Sequence, residues 1–349
     1  MITSDSDILA AGASGSGSSI DPYVLENLTI ISSGPCISVS NTSAYFIIKN
    51  CNIESFDFEP ALILSNVENV QVVQCDITSD DSGITVFESA NCSVYDTIIY
   101  DCRNGIHLYM TSNFTTTFSR IFDNRRGFLL ESSSFCHIVN NSIYSNNGYG
   151  VDLRLYSTNN TIFGNSIGWN SGSYDIDGNV IDQGQYNLFD DGNSQGNAWS
   201  HFNGTSPYVI PGGSGSMDSY PQLLEDTDDP VLVTAADIAI DVESSGNILT
   251  WVASDEYPHA YGIQIDEGPQ VYRTWKGGDI IEDLDSLQVG TYEYSLTLID
   301  GSGNIVTDEV IVTVISFILG GIGTELVMIA SGITVAIFVI SFVLIKKLS

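Results

Sequence analysis

Seven isoleucines constrain this chain more than any other feature. Ile31, Ile53, Ile77, Ile99, Ile121, Ile143 and Ile167 follow one another at intervals of 22, 24, 22, 22, 22 and 24 residues. Two positions before each stands a small or polar residue: Thr29, Cys51, Cys75, Thr97, Ser119, Asn141 and Asn165. Farther along each unit comes an apolar pair with one residue between its members, as in Ile37/Val39, Leu62/Leu64, Ile84/Val86, Ile106/Leu108, Phe128/Leu130 and Val151/Leu153. Gly83, Gly105, Gly127 and Gly150 precede four of these pairs. Apolar positions alternate, which is the period of a strand with one buried face, and helical i, i+3, i+4 spacing is absent. A unit this short cannot bury its own apolar face. Stacked in parallel, successive units bury one another's, with like side chains piling into columns at about 4.8 Å. Seven turns then make a rod of roughly 30 Å.

Several segments carry a family likeness. The run VNNSIYSNNGYGVDL (139–153) and NTIFGNSI after it look like Asn-rich turns of the right-handed parallel β-helix repeat family, which has the pectin-lyase-like fold. Residues 187–221, with Trp199 and Tyr208, are similar to the closing segment of NosD-like β-helix proteins, and DPYVLENLTI (21–30) resembles the lead into a first coil. The resemblance covers roughly residues 5 to 223 and implies the fold alone, because this architecture hosts lyases, hydrolases, epimerases, adhesins and inert spacers.

Beyond the acidic run Glu225–Asp229 the texture changes. Alternating segments separated by turn signals, from LVTAADIAIDV to EVIVTV, read as short antiparallel strands of a β-sandwich that resembles the Ig-like modules of surface proteins. Trp251 is its expected core aromatic and Tyr292 its expected corner tyrosine. Leu326 to Ile345 is a stretch of twenty residues without a charge, preceded by Glu325 and followed by Lys346 and Lys347. That length spans a bilayer as a helix, and the lysines place the tail on the cytoplasmic side. The expected fold class is therefore all-β: a right-handed parallel β-helix, an Ig-like β-sandwich and one C-terminal transmembrane helix. The expected divisions are an N-terminal cap at 1–22, coils at 23–171, a closing segment at 172–225, the sandwich at 226–314, a linker at 315–325, the membrane helix at 326–345 and a cytoplasmic tail at 346–349. The bulk of the chain is expected outside the cell. No apolar leader follows Met1, so a tail-anchored protein with its body in the cytosol is the alternative. Seven Asn-x-Ser/Thr sequons, at Asn27, Asn41, Asn91, Asn113, Asn140, Asn159 and Asn203, are compatible with export.

With 10 Lys+Arg against 43 Asp+Glu the formal net charge is −33, which repels phosphate backbones and excludes a nucleic-acid partner. Five of those basic residues nevertheless fall in three successive units: Arg103, Arg120, Arg125, Arg126 and Arg154. Arg103 and Arg125 hold one repeat position, and Asp101 and Asp123 hold another. Arg103, Arg125, Arg126 and Arg154 are candidates for binding a saccharide carboxylate or another anion. Asp101 and Asp123 are candidates for general acid and base, with Arg103 and Arg125 beside them. The structural alternative is a ladder of surface ion pairs worth ~0–1 kcal/mol each.

The six cysteines, Cys36, Cys51, Cys75, Cys92, Cys102 and Cys136, are expected to stack in the interior as free thiols. The histidines show no metal-ligand spacing, so no metal site or cofactor is expected. Calcium at Asp80–Asp81, Asp190–Asp191 or Glu225–Asp229 is possible chemistry without the spacing of a calcium loop, and copper is disfavoured. The expected function is a membrane-anchored surface protein that binds glycans or neighbouring surface proteins. The alternative is a lyase or hydrolase acting on acidic polysaccharide, and the second alternative a NosD-like copper maturation factor.

Overall fold

The computed structural model describes Asp7, residues 11–170 and residues 178–316. Residues 23–170 and 178–223 wind into coils that contribute to three parallel sheets of seven, nine and seven strands. The first sheet begins at Tyr23–Glu26 and ends at Thr161–Phe163. The second begins at Thr29–Ser32 and ends at Gln222–Leu223, and the third runs from Ile37–Thr42 to Val180–Asp182.

The expected file of isoleucines forms, with one correction. Ile53, Ile77, Ile99, Ile121, Ile143 and Ile167 lie in register in that file, followed by the buried Trp199 and then the exposed Leu223. Ile30, not Ile31, heads it: Ile30 pairs with Ile53, whereas Ile31 lies opposite Glu54 and is 63% exposed. A strand's side chains alternate with a period of two, so a one-residue offset moves a neighbour to the outer face. The glycines before the apolar pairs meet a close approach of coils. A Cβ on Gly105 would lie 2.7 Å from the Gly127 carbonyl oxygen.

In the coils between Glu88 and Ser145 the chain turns at four corners, and at each corner one residue takes a left-handed backbone conformation. In one coil these are Glu88, Asn91, Asp96 and Asp101, with φ between 47 and 54°. The residue after each one points inward, as Ser89, Cys92, Thr97 and Cys102 do. At the corner the sheet ladder is interrupted, and an inward Ser, Thr or Asn can supply the missing acceptor. Asn124 Oδ1 accepts the Cys102 N–H at 3.0 Å, Asn146 Oδ1 that of Asn124 at 3.1 Å, and Asn170 Oδ1 that of Asn146 at 3.0 Å. A second file runs from Thr97 through Ser119, Asn141 and Asn165 to Asn197, which donates its N–H to Asp218 at 2.7 Å. Asp218 is fully buried and also accepts the Trp199 indole N–H. Burial raises its pKa, while Asn197 and Trp199 oppose the shift. Five of the six cysteines are buried, Cys36 is half-buried, and all six are free thiols.

Residues 231–315 form a second all-β unit of two sheets. Strands Val231–Val233, Ile248–Ser254 and Ile280–Asp283 form an antiparallel sheet. The other sheet runs Ile238–Asp241, Ile305–Ile315, Gly290–Asp300, Pro258–Ile265 and Val271–Thr274. Leu249, Trp251, Leu296, Leu298, Val310 and Val312 belong to their shared core. The Trp251 indole donates to Asp308, and the Tyr292 hydroxyl donates to the Gln288 carbonyl at 3.0 Å.

The second unit lies against the flank of the coils, over the second sheet. Tyr257 enters an aromatic cluster with Phe122, Tyr144 and Leu224. Polar contacts surround it: Tyr144 to the Pro258 carbonyl, Arg120 to the Lys276 carbonyl, and Lys276 to Asp76. His259 pairs with Asp123 at 2.6 Å. Burial disfavours a charged imidazole there, but Asp123, then Asp101 and Asp300, outweigh it, and His259 titrates above its ordinary 6.5. The expected membrane helix at 326–345 and the tail at 346–349 lie outside the described residues. Among the described residues no helix is long and apolar enough to cross a membrane.

Two predictions follow from these contacts. Asn146 is fully buried, and its side chain makes four hydrogen bonds, to the Asn124 backbone and amide, the Ile121 carbonyl and Asn170. Asn146→Ala strands the Asn124 N–H and should cost on the order of 2–4 kcal/mol in urea unfolding. Asn113→Ala, at an exposed left-handed corner, should cost only about 1 kcal/mol. A histidine whose pKa is raised by folding stabilises fully below its unfolded value and loses that contribution as pH climbs through the folded value. The thermal midpoint should therefore fall as pH rises from 6.5 through the His259 titration, and His259→Gln should flatten that slope.

Candidate functional site

With Ile106/Leu108, Phe128/Leu130 and Val151/Leu153 turned inward, strand alternation sends His107, Tyr109, Leu129, Glu131 and Asp152 to the outer face of the third sheet. Register stacks His107 on Leu129 and Leu129 on Asp152, and places Phe87, Tyr109 and Glu131 in one file. Arg154 follows directly after the last strand.

The polar groups form a connected network. Arg154 donates to Glu131 at 2.7 Å and approaches Asp152 at 3.5 Å. Arg126 reaches Asp152 at 3.1 Å, and His107 Nε2 lies 2.9 Å from the second Glu131 oxygen. Burial raises the Asp152 pKa, with Arg154 and Arg126 pulling the other way. At Glu131 burial is outweighed by the bonds from His107 and Arg154, which hold its carboxyl below the usual range. Arg126 is lowered by burial and by repulsion from Arg154, Arg125 and Arg103, with Asp152 opposing. Beside the network Phe87 and Tyr109 stack at 5.5 Å with their rings 2° from parallel. Arg125 is exposed and makes no ion pair among the described residues. Arg103 faces Asp81 at 3.6 Å across a largely exposed gap. Such a face can hold a sugar ring against an aromatic surface and offer guanidinium groups to its hydroxyl or carboxylate oxygens.

The sequence candidates divide between two places. Arg103, Arg125, Arg126 and Arg154 come together, as their mutual repulsion at Arg126 records. Asp101 and Asp123 stand in successive coils at the corner between the second and third sheets, with φ of 53 and 54°. They turn toward the second unit, where Thr274 donates to Asp101 at 2.6 Å and His259 meets Asp123. Burial raises the pKa of both, with Thr274 opposing at Asp101 and His259 at Asp123. Phe87, His107, Tyr109, Glu131 and Asp152 were not among the candidates. Their repeat positions carry the signal: each neighbours an inward apolar residue and shares a file with the next coil.

One group of carboxylates suits a cation by composition. Oxygens of Asp226, from the acidic run, and of Asp255 and Asp300 lie within 4.8 Å of one another. Burial, then the neighbouring Asp226 and Asp300, push Asp255 up to about 6.

Residues 11–167 match the family described as "Right handed beta helix region". None of the curated proteins compared with the chain matches it. Among solved structures, the chain is similar to the full-length tailspike protein 2 of Escherichia coli O157:H7 bacteriophage CAB120, at 10% identity and a TM-score of 0.41. That likeness covers 82% of this chain and 57% of the tailspike, so the chain spans little more than half its length. The periplasmic alginate epimerase AlgG is 15% identical, with a TM-score of 0.24 over 46% of this chain and 47% of its own. Fibronectin(III)-like modules of Clostridium thermocellum CbhA are 13% identical, with a TM-score of 0.18 over 25% of this chain and 96% of the module chain. The family match and the three in-register parallel sheets identify residues 11–167 as a right-handed β-helix.

Proposed function

We propose that this is a membrane-anchored surface protein whose β-helix binds glycans through the outer face of the third sheet. The observation that carries the reading is the file Phe87, Tyr109, Glu131, with Arg154 bonded to its end and exposed Arg125 beside it. A flat aromatic surface meets the apolar face of a sugar, and the arginines and carboxylates meet its oxygens. The uncharged stretch Leu326–Ile345 and the lysines after it support an anchor with the C-terminus in the cytoplasm. On this reading the two-sheet unit is an Ig-like module that braces the coils from the side. Acid–base chemistry at Asp101 and Asp123 would require that unit to move away, whereas binding at the third sheet requires no rearrangement. The buried thiols give no support to copper handling.

The test is binding to an array of neutral and uronate-containing oligosaccharides. The intact protein should retain at least one of them. Tyr109→Ala and Arg125→Ala should each weaken that binding about tenfold, or ~1.4 kcal/mol, and Asp123→Asn should leave it unchanged. Equal retention by all three variants would remove the third sheet from consideration.

A further inference from the structure

The three-stranded sheet of the second unit departs from the usual pattern of a half-buried antiparallel sheet, in which outward positions are polar. Its inward residues Leu249, Trp251, Ala253 and Ile280 are buried, as expected. Alternation turns Val231, Val233, Ile248, Val252 and Ile281 outward, with exposures of 61, 56, 54, 50 and 58%. Register makes them one surface. Val233 lies opposite Val252, Ile281 opposite Thr250, and Ile248 and Val252 stand on the central strand between the two edges. The outward rows of the other sheet are mostly polar, setting Thr291, Glu293, Ser295 and Thr297 against Thr313, Ile311, Glu309 and Thr307, with the apolar pair Ile299 and Ile305 at their end.

We propose that this aliphatic face is the contact through which two copies of the chain form a dimer. The five side chains expose on the order of 450 Å² of apolar surface, the size of patch that marks an interaction site. That is about half of the ~800 Å² that each partner contributes to an ordinary specific interface, and matches its apolar core. Charge selects the occupant. None of the ten Lys and Arg residues lies on the face, so it offers nothing to anionic lipid headgroups. The chain carries −33 and repels its own copies over most of its surface. Here the residues are Val, Ile, Thr250 and Ser254, with Asp283 at the rim, and the repulsion is weakest. A flat, nearly neutral, aliphatic surface is its own complement, as a two-fold interface requires. Because the contact is apolar and the long-range force is repulsive, added salt strengthens it.

The test is the protein mass of the full-length chain in detergent micelles by sedimentation velocity. The expected mass is twice the 37.7 kDa of one chain, with tighter association as NaCl rises. Val252→Glu should weaken association at least tenfold. Ile281→Lys should do the same, which separates loss of the apolar contact from added negative charge. Thr297→Glu, on the other sheet, should leave the dimer intact. A native chain that stays monomeric overturns the proposal, and so does a dimer that loosens with salt. Undiminished dimers of both Val252→Glu and Ile281→Lys overturn it as well, because the contact would then lie elsewhere in the chain. Should either substitution disturb folding, the native mass and its salt response still decide.

Discussion

A parallel β-helix must satisfy backbone groups at every corner, four times per turn, where the sheet ladders are interrupted. In this chain a left-handed residue makes the bend, and the side chain after it turns inward; where that residue is Ser, Thr or Asn it can accept an N–H from the coil before. Asn suits the inward place best, since its oxygen accepts while its amide donates to carbonyls that the corner also strands. Asn141 shows the full set, accepting the Ser119 N–H and donating to the carbonyls of Thr116 and Val139. The files begin with Cys, Thr and Ser in the early coils and become Asn in the later ones. The file through Asn165 and Asn197 ends on the buried acid Asp218, a third through Asn160 and Asn187 ends on the buried Asp182, and the file through Asn146 and Asn170 passes to Asn179. Asp182 and Asp218 thus give two of the Asn files their last acceptors.

The same corner rule explains the sequons. Asn27, Asn41, Asn91, Asn113, Asn140 and Asn159 all have φ between 53 and 59°. Asn is favoured in that conformation, and at Asn27, Asn91, Asn113, Asn140 and Asn159 the second residue after it, a Ser or Thr in each case, begins a strand. Asn-x-Ser/Thr is therefore what a corner of this solenoid looks like in sequence, and it says little by itself about export.

What could be read from the sequence was whatever repeats. The interval of about 22 residues and the alternation within it gave the coils, the inward files and the buried cysteines, because equivalent residues experience equivalent surroundings. The first coil misled by one position, since Ile30 and Ile31 are both isoleucine and only pairing with Ile53 tells them apart. The division of the candidate site was not legible for a different reason. Asp101 and Asp123 look like partners of Arg103 and Arg125 when only the repeat is considered. Their partners are Thr274 and His259, more than 130 residues away, and no periodicity links the two units. The aromatic cluster of Phe122, Tyr144 and Tyr257 was hidden likewise, because its third ring comes from the other unit.

The docking of that unit covers the outer face of the second sheet. Over the second sheet, Tyr257 fills the aromatic surface and the carbonyls of Pro258, Lys276 and Gly301 occupy the outward donors of Tyr144, Arg120 and Ser145. The described cations of the second unit are engaged too, Lys276 with Asp76 and Arg273 with Glu282. Arg126 and Arg154 are held by Asp152 and Glu131. Arg125 stands exposed beside them, and its neighbours are arginines as well as acids. In a chain with more than four carboxylates for each basic residue, that concentration of positive charge departs from the average field. An approaching anion, or a saccharide bearing one, is repelled by nearly everything else on the molecule. Under the proposed glycan reading, that surrounding repulsion would add to the selectivity of the third sheet's own arginines.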